Sequence, residues 1–319
     1  MDSESRRQIA SDIAKRYYIN GESQEDIARS NNMSRSNISR ILKKCMDEGI
    51  VEIIVHDVIS ENPPCARRIQ LGLGLKTVII VPTGSSLDRL NRNIGERLSM
   101  YLMSILKNNM LLGVARGRVC YYTAKSLNNN KNFSVDVVQL QGAVSPTITS
   151  DESNALISLY AAKLNGKGYI MNAPLMVKSK RTKEDLLNSD MLKPIIQKYN
   201  HLDVAIFEIE CPRLHASNYS KQEWLSRADI LQLNEVGVVA SVCGHYFDAQ
   251  GVSCNVGIND RVLAINTELL KSVNYSIGIS AEKNSLVSTL SIIKSGMINV
   301  LVISEDLAAQ LDAYLQENK

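Results

Sequence analysis

Between Ser34 and Lys44 the chain reads Ser-Arg-Ser-Asn-Ile-Ser-Arg-Ile-Leu-Lys-Lys. At helical spacing, Arg35, Ser36, Asn37, Ser39, Arg40 and Lys43 fall on the face opposite Ile38, Ile41 and Leu42. Arginine can fork onto guanine and asparagine onto adenine, while serine and lysine serve phosphates or either base. These types in this pattern suit recognition of double-stranded DNA. Arg35, Ser36 and Asn37, at the start of such a helix and following Ser34, are the base-reading candidates. Arg40, Lys43 and Lys44 lie further along and suit phosphate. The alternative is a charged, solvated helix face on a small interaction domain.

Other chemistries find less support. The four histidines, His56, His201, His215 and His245, are scattered, with no i,i+4 pair and no HExxH, which argues against a metal site. Glu208, Glu210 and Asp248 could each act as acids, but no catalytic motif surrounds them. The six cysteines include no CxxC and are expected as reduced, buried thiols. Gly113-Val114-Ala115-Arg116-Gly117-Arg118 is a strand end turning into a helix, where glycine lets backbone N–H groups approach an anion and arginine adds planar donors. It is not GxGxxG, and no Walker sequence occurs, so no cofactor is expected. Gln141-Gly142-Ala143, Asn259-Asp260-Arg261 and Gly278 to Lys283 are three further polar turns of the same kind. In the last, Ser280 could cap the helix and Lys283 could reach an anion.

The elements that must position these groups are legible in part. Arg6–Asn20 places Ile9, Ile13, Ala14 and Tyr17 at helical spacing, and Gly21 ends it. Ser23 suits the cap of a short helix, Gln24–Ser30, with Glu25 and Asp26 in its first turn. Ser34 then caps Arg35–Glu48, whose Ile38, Ile41, Leu42 and Cys45 face inward, and Ile50–His56 alternates like a strand. Two short helices about a tight turn, the second basic, predict a helix-turn-helix over residues 1–58. Ser60 to Pro64 reads as a linker.

Beyond it, β-rich runs recur at Thr77–Val81, Val135–Leu140, Asp203–Ile209, Gly237–Val242, Tyr275–Ile279 and Asn299–Ile303. Helical segments at Asp88–Leu106, Glu282–Lys294 and Glu305–Leu315 alternate with them. The pattern predicts an open, mostly parallel α/β sheet over residues 59–319, with ligands at the carboxyl ends of its strands.

With 319 residues, 45% hydrophobic and 22% charged, the chain has room for two domains and excludes disorder. The net charge of +3 is too small for a global electrostatic footprint, but Arg29 to Met46 carries Arg29, Arg35, Arg40, Lys43 and Lys44 with no acid. No apolar run approaches the ~18 residues of a membrane span, and the N-terminus lacks a signal peptide's apolar core. A cytoplasmic protein without membrane partners is expected.

Tyr17-Tyr18, Gly21, Gln24 to Ala28, Ser34 to Leu42 and Glu48 to Val51 form a dense pattern that resembles the N-terminal domain of the SorC family of bacterial sugar-responsive transcription regulators. The likeness continues at lower density. "LGLGLKTVIIVPTG" looks like the start of that family's sugar-binding domain, "GVARGR" like its Gly-x-Ser-Trp-Gly-Arg turn, "HYFDAQG" like its Phe-Phe-Asp-x-x-Gly, and "INDRVLAI" like its Asn-Asp-Arg segment. The resemblance implies a Rossmann-like domain related to sugar-phosphate isomerases. It implies a sugar, polyol or phosphosugar effector, operator DNA as partner, and assembly into dimers or tetramers. It places the effector site at Gly113, Arg116, Gly117, Arg118, Gln141, Gly142, Asp260, Arg261 and Lys283. A regulator of carbohydrate utilisation that is not an enzyme follows; the alternative is a sugar-phosphate-processing enzyme with a DNA-binding appendage.

Departures from the family pattern bear on the effector. Arg116 stands for the usual Trp and Ala115 for Ser, and Phe207-Glu208-Ile209-Glu210 replaces a Gly-Ile-Gly turn. Two carboxylates there would repel a phosphate. They imply an effector that differs from the family's norm, is unphosphorylated, or sits shifted toward Arg116 and Arg118.

Overall fold

The computed structural model describes residues 3–51, 64–128, 133–144, 153–212, 225–282 and 284–318. The chain divides into two compact units, Met1–Glu61 and Asn62–Lys319.

The smaller unit holds α1 (Ser3–Tyr18), α2 (Gln24–Ser30) and α3 (Arg35–Asp47). Serine caps set two of the starts. Ser23 Oγ accepts from Asp26 N and Ser34 Oγ from Asn37 N, satisfying N–H groups that a first turn leaves orphaned. Gly21 and Gly49, at φ of 72° and 68°, end α1 and α3 in the left-handed conformation. Ile13, Ala14, Ile27, Ala28, Ile38, Leu42 and Cys45 form the core, and Ile41 is half-buried against it. The expected strand Ile50–His56 lies mostly outside the described residues.

The larger unit is built on seven parallel strands. These are β1 (Thr77–Val81), β2 (Leu111–Val114), β3 (Asp136–Gln139), β4 (Gly168–Tyr169), β5 (Val204–Glu208), β8 (Tyr275–Ser280) and β9 (Val300–Ser304). Their order across the sheet is β1-β9-β8-β5-β2-β3-β4. Most strand residues are buried (β9 throughout), as a parallel sheet covered on both faces requires. One face packs against α5 (Leu87–Ile105), α6 (Arg118–Ser126) and α7 (Ser153–Leu164) through Ile94, Leu98, Val119, Ala124 and Tyr160. The other packs against α4 (Pro64–Gly72), α12 (Leu286–Lys294) and α13 (Glu305–Glu317) through Ile69, Ile292 and Leu311. The α/β class with a mainly parallel sheet is the one expected from sequence.

Two local expectations change. The run Gly237–Val242 does not join the large sheet. Its last residues, β6 (Ala240–Val242), pair antiparallel with β7 (His245–Phe247), with Val242 opposite His245. The two residues between, Cys243 and Gly244, both have positive φ, 49° and 78°, which is the geometry that closes a tight hairpin. The expected helix start at Glu282 moves to Leu286. Asn284, at φ 63°, interrupts a helical path before it, and Ser280 is buried at the end of β8, donating to Ser285 Oγ at 2.8 Å rather than capping the helix. Among the described residues no helix is long and apolar enough to cross a membrane, and the six cysteines are free, Cys65 and Cys211 only half-buried.

Candidate functional site

On α3 the core side fixes the exposed side. With Ile38, Leu42 and Cys45 turned inward, Arg35, Ser36, Ser39, Arg40 and Lys43 are all solvent-exposed, Asn37 is half-buried at the edge of that face, and Lys44 is exposed beyond it. Arg40 Nη2 donates to Asn37 Oδ1 at 3.0 Å. Ser34 and Ser36 hydroxyls lie 3.0 Å apart, and Lys44 pairs with Glu48 at 3.4 Å. The first turn of α3 contains no acid, so its N–H groups and the helix dipole favour an approaching phosphate.

In the larger unit the strand order reverses between β2 and β5. From β2 the chain moves outward through β3 and β4, and from β5 it moves the other way through β8 and β9. A crevice opens at the carboxyl ends of such a pair. Here it is a cleft of about 980 Å³, lined by residues that follow β1, β2, β5, β8 and β9. Ser85 and Ser86 come from the loop after β1, Arg116 from the turn after β2, and Glu208 and Glu210 from the end of β5. Glu282 follows β8, Ser304 and Asp306 follow β9, and Ser241 and Tyr246 enter from the small hairpin.

The β2–α6 turn and the end of β5 interlock. Gly117 sits at φ 150°, a conformation open to glycine and strained for other residues. A Cβ there would stand 2.1 Å from Glu208 Oε1. That same oxygen accepts from Val119 N, in the first turn of α6, at 2.9 Å. Burial pushes the Glu208 carboxyl up to about 7, and the Glu210 and Glu282 carboxylates add to the rise, while the Val119 N–H and Arg116 oppose it. Glu210 is held by the hairpin: Ser241 Oγ donates to its Oε2 at 2.7 Å, and the two backbones bond reciprocally. Arg116 is the one cation among the described lining residues, and its Nε is buried with no hydrogen-bond partner.

The other sequence-derived positions lie apart from the lining. Gly113 is inside β2, where a Cβ would press on Leu140 at 2.6 Å, and Gly142 packs on the Pro174 carbonyl. Gln141 is buried, with its backbone bridged to Ala264. Arg118 is exposed in the first turn of α6, near Asp88, whose carboxyl is lowered chiefly by the Tyr122 hydrogen bond, then by Arg92, with Arg118 adding least. Asp260 is exposed near Lys180. Arg261 is engaged by Asp229 and by the Gly257 carbonyl, beside a separate, smaller pocket. Lys283 lies outside the described residues. The serines after β1 and the Ser304–Asp306 corner went unnoticed in the sequence, although the strand-end rule applied to Thr77–Val81 and Asn299–Ile303 points to both.

Residues 61–311 match the protein family described as "Putative sugar-binding domain". The chain belongs to the SorC-type regulators. The deoxyribonucleoside regulator of Bacillus subtilis strain 168 is 25% identical over 317 residues, 98% of this chain and 99% of its own length. The sorbitol operon regulator of Klebsiella pneumoniae is 24% identical over 303 residues, 94% of this chain and 96% of its own. The crystal structure of that full-length regulator, SorC, aligns with a TM-score of 0.72 at 24% identity, covering 97% of this chain and 100% of the other. This SorC-type chain is accordingly a transcriptional regulator, with a sugar-binding domain following a helical N-terminus.

Proposed function

We propose that the chain regulates a carbohydrate-utilisation operon: the smaller unit reads operator DNA through α3, and the cleft of the larger unit takes a sugar, polyol or phosphosugar effector. The observation that carries this reading is the pairing, in one chain, of a capped basic helix on a helix-turn-helix with a polar cleft at the point where a parallel sheet reverses its order. Ser34, Arg35, Ser36, Asn37, Ser39, Arg40, Lys43 and Lys44 form the DNA-reading set. At the cleft, Arg116 leads the effector-binding set as the one cation among the described lining residues.

Assembly into a homodimer or homotetramer would set two heads one or more helical turns of DNA apart. Effector binding would then act by favouring one arrangement, and a 100-fold preference supplies about 2.7 kcal/mol of bias. The relatives support binding without turnover, since both are described as regulators. Action in the cytoplasm is part of the same proposal.

The test is fluorescence anisotropy on DNA from upstream of the chain's own gene, at fixed salt because phosphate contacts make affinity steeply salt-dependent. A panel of sugars, polyols and their phosphates is titrated in. Specific binding shifted by one compound is the expected result; specific binding that no compound shifts removes the effector half of the proposal. Within this assay Asn37→Ala is expected to cost about 1–3 kcal/mol on the best site and little on random DNA. Equal binding by variant and wild type on both DNAs would put base reading elsewhere. Arg116→Ala is expected to leave DNA affinity alone and weaken the response to the active compound roughly tenfold or more, the worth of a hydrogen bond to a charged donor. An unchanged dose–response curve removes Arg116 from the site. Turnover of a sugar phosphate by the same preparation would favour the enzyme alternative.

A further inference from the structure

The N-terminus of α6 is filled from within the protein. Its N-cap, Gly117, has no side chain to offer, and the Val119 N–H donates instead to Glu208 Oε1 at 2.9 Å. The carboxylate lies in the space that the missing Cβ of Gly117 leaves open. First-turn N–H groups and the helix dipole favour an anion at that point, and the anion present belongs to β5. Around it the cleft adds Glu210, Glu282 and Asp306, against Arg116 as the one cation among the described lining residues.

We propose that Glu208 is a built-in anion that reserves the α6 N-terminus and makes the cleft select an uncharged polyhydroxylated ligand over its phosphate ester. The proposal rests on the reading of the cleft as the effector site. A phosphate arriving at this turn must displace the carboxylate or lie beside it, and like charges in a partly buried site repel strongly. A sugar or polyol meets the opposite situation. Ionised carboxylates only accept hydrogen bonds, so hydroxyls of such a ligand can donate to them while another accepts from the Arg116 guanidinium that lines the cleft. Gly117 fits the same account, since any side chain there would collide with Glu208. The raised Glu208 carboxyl, poised near 7, sets the condition for a test: at pH 8 the anionic form prevails.

The experiment uses the full chain at pH 8 and constant ionic strength, as wild type and as Glu208→Ala. Thermal unfolding is followed with and without millimolar inorganic phosphate. Calorimetry is run on wild type with fructose, sorbitol and ribose, each beside its monophosphate. Phosphate is expected to raise the unfolding temperature of Glu208→Ala and leave wild type unmoved, and any pair that binds wild type is expected to favour the uncharged member by roughly tenfold or more. Equal stabilisation of both proteins by phosphate overturns the proposal, as does stabilisation of neither, or tighter binding of a monophosphate to wild type. If no member of any pair binds wild type, the effector reading fails for these compounds, while the inorganic phosphate arm still decides the role of Glu208. Glu208→Ser serves as the second vacating variant should the alanine protein not fold, and the wild-type pairs stand independently of both.

Discussion

Replacing Ile38 by alanine is expected to abolish specific DNA binding at 37 °C by unfolding the small unit, with every DNA-facing side chain still present. Ile38 is fully buried in a core that has seven buried apolar residues among those described. Truncating a buried isoleucine to alanine costs about 2–5 kcal/mol. A unit of this size rarely holds more than about 3–5 kcal/mol in reserve, so the two magnitudes nearly cancel. The larger unit has its own two hydrophobic clusters, one on each face of the sheet, and should be unaffected. Differential scanning calorimetry should therefore show the small unit's transition move below 37 °C while the main transition stays in place. Anisotropy should show loss of specific binding over the same temperature range, with partial recovery on cooling. Asn37→Ala separates the two causes, since it removes a reader and leaves the core intact. If Ile38→Ala binds operator DNA as wild type does, α3 is not held by the packing described for it.

What the sequence made legible was local. Helix α2 and the start of α3 are announced by Ser23 and Ser34, whose hydroxyls cap the turns that follow. Strand β1 coincides with the apolar run Thr77–Val81. Where the expectation moved, the deciding interaction was a backbone conformation with weak side-chain signals. Cysteine at position 243 is no turn signal, yet it adopts the positive φ that closes the β6–β7 hairpin and takes that segment out of the parallel sheet. Asn284 likewise delays α12.

The cleft was legible only as a set of strand ends. Arg116 follows from the rule that ligands collect there, and it lines the cleft. Glu208 and Glu210 stood out as departures from a family pattern, with no indication of what they meet. The contact that gives Glu208 its meaning joins it to Val119, 89 residues away in sequence. It arises because β5 returns to pair with β2 after the chain has built β3 and β4. Arg261 shows the converse. Its type and turn suggest a ligand contact, but the capping aspartate of α10 (Arg227–Glu235), Asp229, lies close enough to engage it first.

Glu208 should also make the larger unit less stable as pH rises through neutrality. Its folded carboxyl, raised mainly by burial, sits at about 7, against an ordinary value of 4.5. The folded state thus holds the proton more tightly than the unfolded one. The stability gained from that proton is complete below about 4.5 and is lost as pH rises toward 7 and beyond, because the folded protein must then carry a buried charge. Each tenfold difference in proton affinity is worth about 1.4 kcal/mol. Discounted for the side chain's partial access to solvent, the swing is about 2 kcal/mol. Glu208→Gln keeps an oxygen for the Val119 N–H and removes the ionisation. Its unfolding temperature, relative to wild type, should accordingly be higher at pH 8 than at pH 5, by roughly 4–8 °C at the usual conversion for a unit of this size. Groups remote from Glu208 titrate alike in both proteins and drop out of the comparison. A difference that is the same at both pH values would mean that the carboxylate is solvated well enough to ionise freely. The α6 N-terminus would then be wet, and its first-turn N–H groups would be satisfied by water as readily as by Glu208.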